Sequence, residues 1–281
     1  MLPIVTLLLQ LPRLSFTNVA KPELASAASS VIIFSQRLRC SDITCCRRPG
    51  HAERSGLESR AMPDPRRWRT NVMYTLYYAP GTCALATHIA LEEAGAPYEA
   101  VLVDFRSQRQ RSPEYLAVNP KGRVPALVTE SGTLTETPAL LCFVAQRFPN
   151  AELAPLADPF ALAQVQEFNS YLCSTVHVAH AHRMRGTRWA DDAAAIEAMK
   201  RKVPSNVTEC FELIEHKLVK GPWVMGDQYT ICDPYLFTIA SWIEGDGVDT
   251  TKVPRVMEHR ARMLARPAVQ KAVAAEGTPI P

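Results

Sequence analysis

The chain has 281 residues, 47% hydrophobic and 21% charged, an ordinary globular composition that allows one or two domains. No uncharged apolar run reaches the roughly 18 residues that a membrane-spanning helix needs, so no membrane partner is expected. The net charge of +3 is uneven: residues 1–72 carry 11 Lys+Arg against 5 Asp+Glu, which leaves 20 against 23 for residues 73–281, and that mildly acidic body has no basic footprint for nucleic acid.

Eight cysteines are scattered along the chain. Cys40, Cys45 and Cys46 lie in the first 72 residues, and Cys83, Cys142, Cys173, Cys210 and Cys232 show no C-x-x-C spacing. This is neither a disulfide framework nor a zinc site, and it suits a reducing compartment, so a cytoplasmic protein without a metal is expected.

Within residues 1–72, the apolar run 2–11 is short and has no positive residue before it, which makes a poor signal peptide. Residues 40–69 are rich in Arg and Pro and show no helical or strand period. Met73 directly precedes the first clear strand. Residues 1–72 are therefore expected to be a disordered, dispensable extension or to lie upstream of the true start.

Tyr74 to Tyr78 is a short β-forming run, Pro80-Gly81 a turn, and Thr82 a helix cap with Cys83 as the first helical residue. Leu85, Ile89 and Glu92-Glu93 predict one apolar and one polar side for that helix, ended by Gly95. A cysteine at a helix N-terminus meets unpaired N–H groups and the positive end of the dipole, which favours thiolate over thiol. The competing reading is a small buried residue that happens to start a helix.

Residues 98–105 predict a second strand, 106–111 a polar loop, and Pro113 to Val118 a short helix. Pro125 cannot donate to a ladder, so it belongs in a tight turn, where a cis bond is admissible, before a strand at 126–129. Gly132 makes a hairpin turn into Leu134-Thr135. Glu136-Thr137-Pro138 then opens a helix that runs to Phe148, carrying Leu140, Leu141, Val144 and Phe148 on one face. This order predicts a mixed sheet with helices.

Together, Tyr77-Tyr78-Ala79-Pro80-Gly81-Thr82-Cys83, Asn119-Pro120-Lys121-Gly122-Arg123-Val124-Pro125-Ala126-Leu127 and Thr135-Glu136-Thr137-Pro138 resemble the glutathione transferases, most nearly the bacterial beta class. The resemblance runs from Met73 nearly to the C-terminus. It implies an α/β thioredoxin-like N-terminal domain at 73–150 with a mixed four-stranded sheet, a linker at 151–157, and an all-α helical-bundle C-terminal domain at 158–281 that carries the electrophile site and dimer contacts. It also implies that the backbone of Val124, before a cis Pro125, pairs with the cysteinyl unit of glutathione as an added strand would. Thr137 and the helix start would hold the γ-glutamyl carboxylate, and Glu136 would pair with the amine. The competing reading of Glu136-Thr137 is a plain helix cap. The lysine that many members use for the glycyl carboxylate is missing; its place falls near Gln108, flanked by Arg106 and Arg109.

The rest of the chain reads as helical. Residues 160–182 carry Leu162, Val165, Phe168, Leu172 and Val176 at spacings of three and four, and residues 196–218 continue the pattern, with Pro204 as a kink and Gly221 as the stop. Thr230-Ile231-Cys232-Asp233 has capping-box form, with Thr230 and Asp233 read as structural, and opens a helix bearing Tyr235, Ile239 and Trp242. A last helix is expected at 253–264.

His177, His180 and His182 could suggest a metal, but no acidic or thiol residue stands beside them in sequence. By resemblance His177 is the histidine that the beta class projects toward the thiols. Val178 stands where a lysine is usual, and Ser170 where an asparagine is usual. Arg183, Arg185 and Arg188 read as a solvated basic face, or as a preference for an anionic acceptor.

The expected function is a glutathione transferase that joins glutathione, its co-substrate, to hydrophobic electrophiles in a detoxifying role as a homodimer. Cys83 and His177 would be catalytic, with thiol–disulfide exchange or peroxide reduction through Cys83 as a side activity. The alternative is a non-catalytic interaction or stress-response module on the same fold. The presence of Cys83, Val124-Pro125, Glu136-Thr137 and His177 weighs against it.

Overall fold

Tyr74 and Leu76 alternate into the core along β1 (Tyr74–Tyr78). In the computed structural model, which describes residues 73–277, this strand is central to the N-terminal half; the expectations for residues 1–72 lie outside the described residues. The sheet order is β2-β1-β3-β4, with β2 (Tyr98–Leu102) parallel to β1, and with β3 (Ala126–Thr129) and β4 (Gly132–Thr135) antiparallel. With α1 (Ala84–Glu93), α2 (Pro113–Val118) and α3 (Thr137–Arg147), this is a thioredoxin-like domain with a mixed four-stranded sheet. β2 stops short of the expected 105. The Asp104 carboxylate accepts from the backbone N–H groups of Arg106 at 2.9 Å and Ser107 at 3.3 Å, turning the chain out of the sheet.

The helical C-terminal domain begins where the Asp158 carboxylate accepts from the N–H of Phe160 and Ala161, capping α4 (Pro159–Tyr171). The helix continues through a π turn (Leu172–Val176) into α5 (His177–Ala181). Next come α6 (Ala193–Leu213), with Pro204 inside it and a π turn (Ile214–Leu218) at its end, and then α7 (Cys232–Ala240), α8 (Ile243–Asp246), α9 (Pro254–Leu264) and α10 (Pro267–Glu276). Gly221 does not end α6, whose closing π turn stops at Leu218. Its role is close approach, because a Cβ there would stand 2.8 Å from the backbone of Gly226.

Two expectations fail at one contact, that between α1 and α10. α10 lies beyond the last expected helix, its large apolar side chains limited to Val269 and Val273 among alanines, and α1 is not two-sided: Ala84 through Leu91 are all buried. α1 packs against α3, α7 and α10. His88 Nδ1 meets Glu276 Oε1 at 3.0 Å in the buried seam, while Arg266 and Lys271 pair with Glu93 and Glu92 at its rim. The C-terminal helix thus supplies the cover that a two-sided α1 would not need.

Asp233, in the first turn of α7, is fully buried. Its Oδ2 accepts from the Thr230 N–H at 2.7 Å, and its Oδ1 accepts from the Val224 N–H at 2.8 Å and lies 3.0 Å from His259 Nε2. The Thr230 hydroxyl in turn accepts from the Cys232 N–H at 3.3 Å. No helix of the described residues is long and apolar enough to cross a membrane.

Candidate active site

The turn after β1, the loop before β3, the start of α3 and the α4–α5 helix converge on a cavity of about 390 Å³. Cys83, Val124, Pro125, Glu136, Thr137 and His177 all line it. Cys83 is the cap of α1, so the helix starts at Ala84, one residue later than expected. The Thr82 hydroxyl accepts from the Ala84 N–H at 3.3 Å and donates to the Ala79 carbonyl at 2.7 Å. Sγ of Cys83 points at the Val124 carbonyl, 3.7 Å away.

Cys83 is not a poised thiolate. Burial pushes its thiol up to about 11, and the neighbouring Thr137 hydroxyl only partly offsets this. The desolvation of an anion in this half-buried position outweighs the pull of the α1 N-terminus. At neutral pH Cys83 is therefore a hydrogen-bond donor.

The Val124–Pro125 peptide is cis, and β3 begins only at Ala126, so the backbone of Val124 stands outside the ladder. The loop before it is pinned from below: the Arg123 carbonyl accepts from the Tyr115 hydroxyl and the Asn119 amide, both at 2.6 Å. Gly122 is required here, at φ +61° with a would-be Cβ 2.8 Å from the Gln110 carbonyl.

Glu136 caps α3 at φ +73°, an uncommon conformation for a residue with a side chain. Its carboxylate does not bond to the helix. It pairs instead with Lys121 Nζ at 2.5 Å, and that ammonium also donates to the Thr135 hydroxyl at 2.7 Å. Lys121 was readable in sequence only as a turn residue. Thr137, at the start of α3, is buried against the cavity.

Arg106 and Gln108 are not brought to the cavity. Both are exposed, because the Asp104-anchored turn carries 106–109 outward, and Gln110 and Arg111 take their place on the lining. Cys173, Arg123 and Tyr235 also face the cavity without having been singled out. Cys173 was findable, since it precedes His177 by four residues on one helix.

The His177 ring lies 5.1 Å from the Trp242 ring. Burial, with His180, Arg185, Arg188 and Arg123 adding to it, drives its pKa down to about 4, so it is neutral at pH 7. The His180 ring lies 6.3 Å from that of His177, but its Nδ1 is engaged by the buried Asp246 carboxylate at 2.7 Å and its ring stacks on Trp242 at 4.3 Å. His182 lies against Trp189 at 4.2 Å, so the three histidines do not converge. Ser170 and Val178 are both exposed, and the π turn lies between Ser170 and His177.

The depressed His177 pKa makes a prediction about stability. Between about pH 6.5 and 4 the unfolded chain binds a proton that folded His177 refuses, so stability falls as pH falls through this window, approaching about 3 kcal/mol by pH 4. Urea unfolding at pH 7 and pH 4.5 should show a smaller acid loss in His177→Asn than in the parent. An equal loss in both would remove His177 from the account.

Two family models match the chain: "Glutathione S-transferase, N-terminal domain" over residues 72–146 and "Glutathione S-transferase, C-terminal domain" over residues 177–267. The chain is 32% identical to glutathione S-transferase GstA of Escherichia coli O157:H7 over 204 residues, covering 72% of this chain and 98% of that one. The chain belongs to the glutathione S-transferase family. Among solved structures, a Sulfitobacter glutathione transferase homologue with bound glutathione is 47% identical, with TM-score 0.71 over 74% of this chain and 100% of its own. A bacterial beta-class glutathione S-transferase from Sphingomonas chungbukensis is 33% identical, with TM-score 0.64 over 72% and 98%. The family assignment thus spans both halves of the molecule, with Cys83 and Val124-Pro125 in the N-terminal match and His177 at the start of the C-terminal one.

Proposed function

We propose that the protein is a glutathione transferase that joins the thiol of glutathione to electrophilic small molecules. The observation that carries this reading is the convergence of Cys83, the Val124 backbone outside the strand ladder, Glu136-Thr137 at the start of α3, and His177 on one cavity. Glutathione is an extended tripeptide with two carboxylates and an amine, and these groups complement it. The γ-glutamyl carboxylate lies at Thr137 and the N-terminus of α3, the amine at Glu136, and the cysteinyl backbone along Val124. Arg111 and Arg123, on the same side of the cavity, are the cations for the glycyl carboxylate, in place of Arg106 and Gln108.

The chemistry follows from protonation states. A neutral Cys83 thiol and a neutral His177 imidazole offer an S–H and an N–H to the glutathione sulfur, and both stabilise its thiolate form once the thiol proton has passed to solvent. The thiolate then forms a C–S bond with the electrophilic carbon, and the leaving group departs with the electron pair. The same elevated thiol makes Cys83 a weak nucleophile at neutral pH, which favours conjugation over thiol–disulfide exchange. A closed homodimer, a cytoplasmic location and a detoxifying role belong to this reading through the family.

The test is titration calorimetry with glutathione. Glu136→Gln keeps the shape of the side chain and removes its charge, so affinity should fall about ten- to a hundredfold, the equivalent of losing a charge-assisted hydrogen bond of roughly 1.5–3 kcal/mol. Thr137→Ala should fall likewise. Unchanged affinity in Glu136→Gln, with only its melting temperature shifted, would mean that glutathione binds elsewhere.

A further inference from the structure

The charged residues on the cavity wall are unbalanced. Arg111 and Arg123 come from the thioredoxin-like side, and Arg185 and Arg188 from the turn that follows α5. Glu136 is the one carboxylate among the lining residues, and it is already paired with Lys121. None of the four arginines forms an ion pair among the described residues. They are near enough to oppose one another: Arg185, Arg123 and Arg111, after burial, hold the Arg188 guanidinium below its usual range.

Glutathione uses only part of this charge. In the placement above, its γ-glutamyl end is met by Glu136 and Thr137, and its glycyl carboxylate by the arginines of the thioredoxin-like side. Arg185 and Arg188 remain, on the opposite wall next to His177. The surface around them is apolar and aromatic. Arg185 reaches over the Phe105 ring of the thioredoxin-like side at 5.8 Å, and Val178, Ala181 and Trp189 line the helical wall.

We propose that the acceptor substrate is an anionic electrophile, an unsaturated or aromatic body bearing a carboxylate or sulfonate, and that Arg185 and Arg188 hold this anionic group while Phe105 and Trp189 pack its body. The inference rests on the glutathione transferase reading and gives it a substrate class. Two guanidinium forks suit a planar carboxylate, and their placement on the helical side orients the reactive carbon toward the sulfur between Cys83 and His177.

A matched pair of aryl chlorides tests this: 4-chloro-3,5-dinitrobenzoate and its carboxamide, with the full chain and saturating glutathione. In each, the glutathione thiolate forms a C–S bond at C4, the C–Cl bond breaks, chloride leaves with the electron pair, and the thiol proton goes to buffer. The kcat/KM values are divided by the uncatalysed rates, which removes the difference in ring activation. The benzoate should be accelerated at least about tenfold more than the carboxamide, the scale of one charge-assisted pair. This advantage should shrink as salt is raised. In Arg185→Gln/Arg188→Gln the ratio of the two accelerations should collapse toward one.

Inhibition of the unaltered protein supplies a measurement that does not depend on a variant. 3,5-Dinitrobenzoate should inhibit about tenfold more strongly than 3,5-dinitrobenzamide. Equal acceleration and equal inhibition by the two members would overturn the inference and leave the glutathione reading standing. The same holds if the double substitution slows both substrates in equal proportion while raising the glutathione KM, since the arginines would then serve glutathione. Absence of glutathione binding by calorimetry, together with no turnover of either chloride, would overturn both readings.

Discussion

Alkylation of Cys83 by iodoacetamide should rise about a thousandfold between pH 7 and pH 10, with no plateau. A thiol at about 11 is only about one part in ten thousand thiolate at pH 7 and about a tenth at pH 10. An ordinary cysteine near 8.5 would gain only about thirtyfold and level off above pH 9, and a thiolate stabilised by the helix N-terminus would show almost no rise. Absolute rates are less decisive, because a more basic thiolate is also a better nucleophile and recovers about a tenfold factor at neutral pH. The slope is what separates the cases. Mass spectrometry of the Cys83 peptide isolates this site from Cys142, Cys173, Cys210 and Cys232. Circular dichroism at pH 10 establishes that the fold persists. A plateau below pH 8 would mean that the dipole of α1 prevails over burial, and it would return thiol–disulfide exchange to the centre of the chemistry.

That result would also locate where sequence reading stops. A cysteine after a strand and a Pro-Gly turn was enough to place Cys83 at the start of α1. The sign of its pKa shift was not legible, because it depends on the depth of cover from elements far along the chain: the Val124 loop, Thr137 and the π turn with Cys173. Short-range signals gave the strands, the cis Val124–Pro125 turn and the α3 start, since each rests on residues within a few positions of one another. Long-range covering was lost. The sequence of α1 reads as two-sided because its lid, α10, lies about 180 residues later in the chain. The outward facing of Arg106 and Gln108 is hidden in the sequence for a related reason. A turn anchored on the Asp104 carboxylate decides whether 106–108 or 110–111 reaches the cavity, and loop residues of similar polarity do not announce which way they face. The Lys121–Glu136 pair joins two loops and shows no spacing signal at all.

The largest loss of stability is expected at Asp233. Asp233→Ala should destabilise the protein by about 3–5 kcal/mol, at the upper end for a single buried network. The carboxylate does three tasks in a dry place: it accepts the Thr230 N–H that opens α7, it accepts the Val224 N–H from the preceding loop, and it meets the His259 imidazole from α9. Removing it leaves two buried N–H groups and a ring nitrogen without a partner, each costing about 1–3 kcal/mol before relaxation. Asp233→Asn keeps the shape and one carbonyl acceptor, so it should cost less, about 1–3 kcal/mol, because the amide must present an N–H to one of the three donors. Thr230→Ala removes the hydroxyl that accepts from the Cys232 N–H and donates to Asp233 Oδ2 at 3.4 Å, and it should cost about 0.5–2 kcal/mol, the ordinary value of a cap. Urea unfolding of the three variants should therefore rank Asp233→Ala, then Asp233→Asn, then Thr230→Ala. The site should follow the fold: α7 carries Tyr235 into the cavity and packs on α1 directly behind Cys83, so a loosened α7 start reaches glutathione through position and not through contact. Glutathione affinity measured well below the new melting temperature should change less than severalfold in Asp233→Asn. An affinity loss as large as that of Glu136→Gln, at unchanged melting temperature, would make Asp233 part of the binding site and not of the scaffold beneath it.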